Sequence, residues 1–148
     1  MKKTILAMAM MLMAGLTGAF AKDNEGVNKQ ISSSFSKDFM TAKNVSWNKH
    51  KDFTKATFTL NNQVMFAYYD ENGNLIASAR NILSEQLPIK LFNDLKIGYS
   101  KYWISELFEI DKDGQTSYYV TLENADETLI LKSSGFNDWS TYKRSRKI

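Results

Sequence analysis

The sequence predicts an α+β protein, a tandem repeat of a helix plus a four-stranded antiparallel meander, with the helices packed on one face of the sheet. Three observations lead to this prediction. Apolar residues recur at helical spacing once in each half of the chain, and four strand-like segments follow each time. Anchor positions also repeat, with Phe35 and Leu91 separated by 56 residues and Gly73 and Gly135 by 62.

The N-terminal residues 1–21 have the three-part order of a secretory signal peptide. Two lysines follow the first methionine, Ile5–Leu16 carries no charge, and Ala19–Ala21 forms an A-x-A cleavage site. The apolar run is shorter than the roughly 20 residues that span a bilayer, which disfavours the alternative of an uncleaved anchor. We expect a mature chain that begins at Lys22, lies in the periplasm or is secreted, and has no stable membrane insertion after cleavage.

The remaining residues, 22–148, are enough for one ordinary domain. We expect a single domain made of two repeats, about 28–82 and 84–146. Cleavage would remove two of the 19 basic residues and none of the 16 acidic ones, which leaves a net charge of +1. Nucleic acid is therefore not an expected partner. The chain has no cysteine, so its core must hold it together without disulfides.

The first repeat begins with a helix. Ile31, Phe35 and Phe39 recur every four residues, which predicts one buried helical face. Four strand-like segments follow, in order "NVSWNK", "KATFTLNN", "QVMFAYY" and "LIASARNI". Asn72-Gly73 lies between the last two and is a strong hairpin signal.

The second repeat has the same order. Ser84 is a candidate helix cap, Leu87, Leu91 and Leu95 recur every four residues, and Gly98 stands near the end of the helix. Pro88 falls in the first turns, where its missing N–H costs little. The strand-like segments "YWISELFEI", "TSYYVTLEN", "ETLILKSS" and "DWSTYKRS" follow.

Five short segments carry a resemblance to a known family: Ala42–Trp47, Ala56–Phe58, Asp70–Leu75, Leu87–Pro88 and Tyr118–Leu122. With them the chain resembles the β-lactamase-inhibitor-like, PepSY-like proteins, small exported proteins of the Bacteroidetes group, and the resemblance covers essentially the whole mature chain. These motifs are strand cores and turns, so they specify the fold better than the function. The resemblance implies that a partner protein binds the helix-free, open face of the sheet.

No group of residues indicates catalysis or metal binding, so we expect no enzyme, no cofactor and no metal site. His50 is the single histidine and has no cysteine to complete a metal site. No G-x-S-x-G nucleophile motif occurs. The acidic turns at 70–74 and 111–115 lack the glycine and glutamate spacing of a calcium-binding EF-hand, which favours plain hairpin turns.

The candidate binding residues are surplus aromatics. If Tyr118 and Val120 point towards the helices, the period of two sends Tyr119 to the open face. By the same reasoning one ring of each of two further pairs should join it, Tyr68 or Tyr69 and Trp139 or Tyr142. We take Tyr119, Trp139, Tyr142 and Tyr69 as candidates, because tyrosine and tryptophan are favoured at protein interfaces. The alternative is that these rings close the core or form cross-strand pairs.

We therefore predict a non-catalytic periplasmic protein-binding or inhibitor-like module, with an envelope or secreted protein as partner. The sequence predicts no particular oligomeric state. The alternative is a small-ligand or metal sensor of the envelope that uses carboxylates near Asp70 and Asp111. The basic C-terminal segment Lys143–Lys147 is interpreted as a solvated tail. The alternative is that it contacts anionic lipid head groups or an acidic patch of a partner.

Overall fold

The computed structural model describes residues 26–148, and the predicted signal peptide lies outside these residues. A helix α1 (Lys29–Asp38) comes first, and a short 3-10 helix (Ser84–Gln86) precedes a second helix, α2 (Ile89–Gly98). The strands are β1 (Lys43–Lys49), β2 (Thr54–Leu60), β3 (Gln63–Tyr69), β4 (Leu75–Asn81), β5 (Trp103–Lys112), β6 (Gln115–Glu123), β7 (Glu127–Ser134) and β8 (Ser140–Arg146). They form one eight-stranded sheet in sequence order.

The predicted tandem repeat of a helix plus a four-stranded meander is wrong. Most of the described chain is a single antiparallel sheet, and its two α-helices are only ten residues long each. The compact units divide between Ile76 and Ala77, inside β4. From Ser78 to Asn81 this strand pairs with β5, so the sheet continues through β4 and does not end there as a separate four-stranded meander. Hydrophobic spacing locates strands, but it does not tell which neighbour a strand pairs with.

In the first unit, α1 packs on one face of β1–β3. Asn28 caps the helix, because its side chain accepts a 2.9 Å hydrogen bond from the backbone N–H of Gln30. The buried core comprises Ile31, Phe35, Ala56, Phe58, Ala67 and Tyr69. Trp47 adds an edge-on contact to the Phe35 ring, with centroids 5.1 Å apart. The predicted helical face therefore lies against alternate residues of the strands.

The loop after β3 is held against α1. Gly73 has a φ of +81°, and a Cβ placed there would lie 3.0 Å from the backbone carbon of Gln30. The Asn28 side-chain amide also donates a 3.0 Å hydrogen bond to the backbone carbonyl of Glu71. Glycine is required at position 73 both for its backbone conformation and for this close approach.

In the second unit, α2 covers one face of the strands. Leu91 and Leu95 are buried with Ile82, Leu87, Leu107, Tyr118, Val120, Leu122, Leu129 and Leu131. The helix begins later than Ser84, because Pro88 holds Leu87 in an extended conformation and is itself the N-cap. Ser84 instead begins the short 3-10 helix.

Within residues 26–148, no helix has both the length and the apolar character needed to cross a membrane.

Candidate functional site

Each unit has a strand face turned away from its helix. In the first unit, strand alternation opposite the α1 core places Lys55, Thr57, Phe66 and Tyr68 on this side, which we call the first open face. In the second unit, the residues opposite the α2 core are Phe108, Tyr119, Thr121, Ile130, Lys132 and Tyr142, which we call the second open face. Both faces combine aromatic rings with a lysine.

Tyr119 lies at the centre of the second open face. It pairs with Phe108 of β5 and with Lys132 of β7, and only 9% of it is exposed. Its ring meets that of Tyr142 edge to face, with centroids 5.6 Å apart at 86°. The Lys132 ammonium lies 5.4 Å from the Tyr119 centroid, within the range of a cation–π contact. The second open face thus carries a fixed ring pair with a cation beside it.

Tyr142 reaches this face through an irregularity in strand pairing. Ile130 pairs with Lys143 whereas Leu131 pairs with Thr141, so the register shifts at Tyr142. Its ring is half-buried, and its hydroxyl is buried with no hydrogen-bond partner among the described residues. Burial, and secondarily the neighbouring Tyr119, raise the pKa of Tyr142. Tyr142 can therefore contact a partner through its ring and not through its buried hydroxyl.

The other two candidates lie on the helix side. The Trp139 indole N–H donates a 3.0 Å hydrogen bond to the backbone carbonyl of Leu91 in α2. Tyr69 is fully buried in the first core, and its hydroxyl donates a 2.9 Å hydrogen bond to Asp38. Tyr119 and Tyr142 are therefore the predicted site residues that the structure brings together.

Sequence reasoning missed Lys55 and its neighbours on the first open face. The Lys55 ammonium lies 4.4 Å from the Phe66 ring centroid and 6.0 Å from that of Tyr68. Tyr68 is fully buried, and its hydroxyl has no hydrogen-bond partner among residues 26–148. The available signal was the alternation of "KATFT", which puts Lys55 on the same face as Thr57.

The two acidic turns, at 70–74 and 111–115, use their carboxylates in hydrogen bonds within the turn and its flanking strands. Asp70 accepts hydrogen bonds from the backbone N–H groups of Asn72 and Asn74, at 2.9 and 2.8 Å, and from the Asn74 side chain. Burial would raise the pKa of Asp70, but these hydrogen bonds outweigh it and lower the pKa. Asp111 accepts from the Thr116 hydroxyl at 2.6 Å. In the described part of the chain, no three His, Cys, Asp or Glu side chains are grouped as a metal site would require.

Comparison with known proteins gives a result at the level of structure. No family model and no curated protein matches the chain. A DUF2874 family protein from Bacteroides uniformis is similar in structure, with a TM-score of 0.73 at 13% identity, over 82% of this chain and 90% of that one.

Two further solved structures are similar. A BLIP-like protein from Bacteroides fragilis has a TM-score of 0.70 at 14% identity, over 82% of this chain and 86% of its own. A Bacteroides eggerthii protein proposed to be periplasmic has a TM-score of 0.72 at 10% identity, over 82% and 89%. The PepSY-like part of the resemblance stays a prediction. In its described residues, the chain has the fold shared by these DUF2874 and BLIP-like proteins of Bacteroides.

Proposed function

We propose that the chain is a non-catalytic periplasmic protein-binding or inhibitor-like module of PepSY-like type, and that its second open face contacts an envelope or secreted protein. The observation that carries the proposal is the Tyr119–Tyr142 ring pair beside Lys132. The predicted signal peptide supports export, and the fold shared with a BLIP-like protein supports an inhibitor-like role.

The ring pair suits a binding surface for a physical reason. Tyrosine offers a large contact area and has few torsions to immobilise on binding. The edge-to-face contact with Tyr119 fixes the half-buried ring of Tyr142 before any partner arrives. A preformed contact surface lowers the entropic cost of association. Lys132 adds a charge that orients an approaching partner.

The test is affinity capture from a periplasmic extract, with the mature protein and two variants as bait. Tyr142→Ala removes the half-buried ring of the second open face, and Trp139→Phe alters the helix side instead. We expect a stoichiometric partner that the parent and Trp139→Phe retain and that Tyr142→Ala loses.

Melting temperatures of both variants establish that each is folded under the capture conditions. Retention of the same partner by folded Tyr142→Ala would contradict the proposed surface. Capture of no stoichiometric partner by the parent would contradict the protein-binding function itself.

A further inference from the structure

Lys55 occupies an unusual position for a lysine in a sheet. It lies in β2, directly opposite Asn48 of β1 and Tyr68 of β3, and it is half-buried. Its ammonium lies 4.4 Å from the centroid of the Phe66 ring. Phe66 is itself 8% exposed and Tyr68 is fully buried, so aromatic surface holds the cation on the first open face.

No acidic side chain neutralises this cation within the described residues 26–148. None of the five ion pairs found there involves Lys55. Its neighbours on the first open face, Thr57, Phe66 and Tyr68, are uncharged. The nearby β1–β2 loop adds Lys51 and His50 against the single acid Asp52.

The surroundings of Lys55 also affect two titrating groups. Desolvation by burial lowers the pKa of the Lys55 ammonium. Burial, and after it the charge of Lys55, lower the pKa of His50. The His50 ring stacks near Phe53, with centroids 4.6 Å apart. This end of the first open face is therefore positive and partly shielded from water.

A half-buried cation without a counter-ion is poised to accept an anion. Removing a charge from water is unfavourable unless an opposite charge compensates it. Part of this cost for Lys55 is already present in the free protein, so an incoming carboxylate gains the ion pair with less additional desolvation of the lysine. The pair would also be stronger there than in bulk water, because the local dielectric constant is lower.

We propose that Lys55 is a carboxylate-binding site that takes an aspartate or glutamate side chain of a protein bound at the first open face. This inference rests on the proposed protein-binding function and specifies one chemical property of the partner. Phe66 and Tyr68 position the ammonium by cation–π contact, and the positive charge of Lys55 itself repels a cationic partner group.

The experiment uses NMR on the mature protein with carbon-13 in the lysine ε-methylene groups. The probes are the blocked peptides acetyl-Ala-Glu-Ala-amide and acetyl-Ala-Gln-Ala-amide, compared at constant ionic strength. We expect the glutamate peptide to give a saturable shift of the Lys55 signal and of the Phe66 and Tyr68 ring signals. The glutamine peptide, which has the same shape without the charge, should give no saturable shift.

Three variants complete the test. Lys55→Met should abolish the ring shifts, and Lys55→Arg should preserve them because the positive charge remains. Lys96→Met is the matched control, since the Lys96 ammonium also lies beside a ring, 4.9 Å from the Phe92 centroid, but belongs to α2. It should leave the Lys55 response unchanged.

Equal responses to both peptides, or no saturable shift at Lys55 in the parent, would overturn the carboxylate site. Ring shifts that persist in Lys55→Met would do the same. No captured partner enters this experiment, so its result is separate from that of the Tyr142→Ala capture. If the carboxylate site fails and the capture succeeds, the second open face still stands.

Discussion

The hydroxyl of Tyr69 donates a 2.9 Å hydrogen bond to Oδ2 of Asp38, which links β3 to the last residue of α1. The next residue back, Tyr68, points to the opposite face, and its hydroxyl is buried with no hydrogen-bond partner in the described chain. Two adjacent tyrosines, both fully buried, thus have opposite hydrogen-bonding states. This contrast makes them matched probes of the first unit.

Replacing each tyrosine by phenylalanine should give opposite results. Tyr69→Phe removes a hydrogen bond to a carboxylate and should lower the free energy of unfolding by about 1–2 kcal/mol. Tyr68→Phe removes an unsatisfied hydroxyl and should leave that free energy unchanged or raise it by about 1 kcal/mol. Urea unfolding measures both. Equal losses in the two variants would contradict the hydrogen-bonding assignment.

Stability should fall at alkaline pH because of the same two residues. Burial raises the pKa of Tyr68, and burial together with the hydrogen bond to Asp38 raises that of Tyr69, from an ordinary value of 10.0. The unfolded chain therefore releases both protons near pH 10 while the native protein keeps them. The stabilisation is fully present below pH 10 and is lost as the pH rises from there towards the native pKa values.

Urea unfolding at a series of pH values on both sides of 10 measures this loss, and tyrosinate absorbance follows ionisation. The double variant Tyr68→Phe, Tyr69→Phe should show a shallower decline than the parent. An identical decline in the two proteins would assign the alkaline instability to other groups.

A glycine substitution tests the contact between the loop after β3 and α1. Gly73→Ala combines a strained positive φ with a Cβ only 3.0 Å from backbone of Gln30, and should cost about 2 kcal/mol or more. Gly114→Ala is the control, because its φ is +73° but no atom of the described residues lies within 4 Å of the added Cβ. It should cost about 1 kcal/mol, the backbone strain alone. Thermal unfolding compares the two, and equal costs would contradict the close approach to α1.

The sequence predicted the local elements well, but it predicted the pairing between distant strands much less well. Ile31 and Phe35 in α1, and Leu91 and Leu95 in α2, face the cores as their spacing predicted. The pairing of β4 with β5 depends on contacts between residues that are distant in the sequence, such as Asn81 with Phe108, so spacing alone could not reveal it. The error in the predicted fold class follows from this limit.

Sequence alternation also had a limit at the candidate site, because it does not always tell which of two neighbouring residues points to which face of a strand. The period of two placed Tyr119 opposite Val120, and the register of β6 agrees. The same period could not tell which of Tyr68 and Tyr69 faces away from the helix, because either of two successive tyrosines can occupy that side of the strand. Tyr142 reaches its face through a shift in strand register, which leaves no mark in the hydrophobic pattern.

The two C-terminal aromatic residues should respond differently to loss of their polar atoms. Trp139→Phe removes the hydrogen bond to the Leu91 carbonyl and part of a ring packed on the second core, and should cost about 1–2 kcal/mol. Tyr142→Phe removes a buried hydroxyl that has no hydrogen-bond partner in residues 26–148, and should cost nothing. Urea unfolding separates these outcomes, with the parent as reference. A larger loss in Tyr142→Phe than in Trp139→Phe would show that the Tyr142 hydroxyl stabilises the fold, and would contradict its assignment as an unsatisfied group.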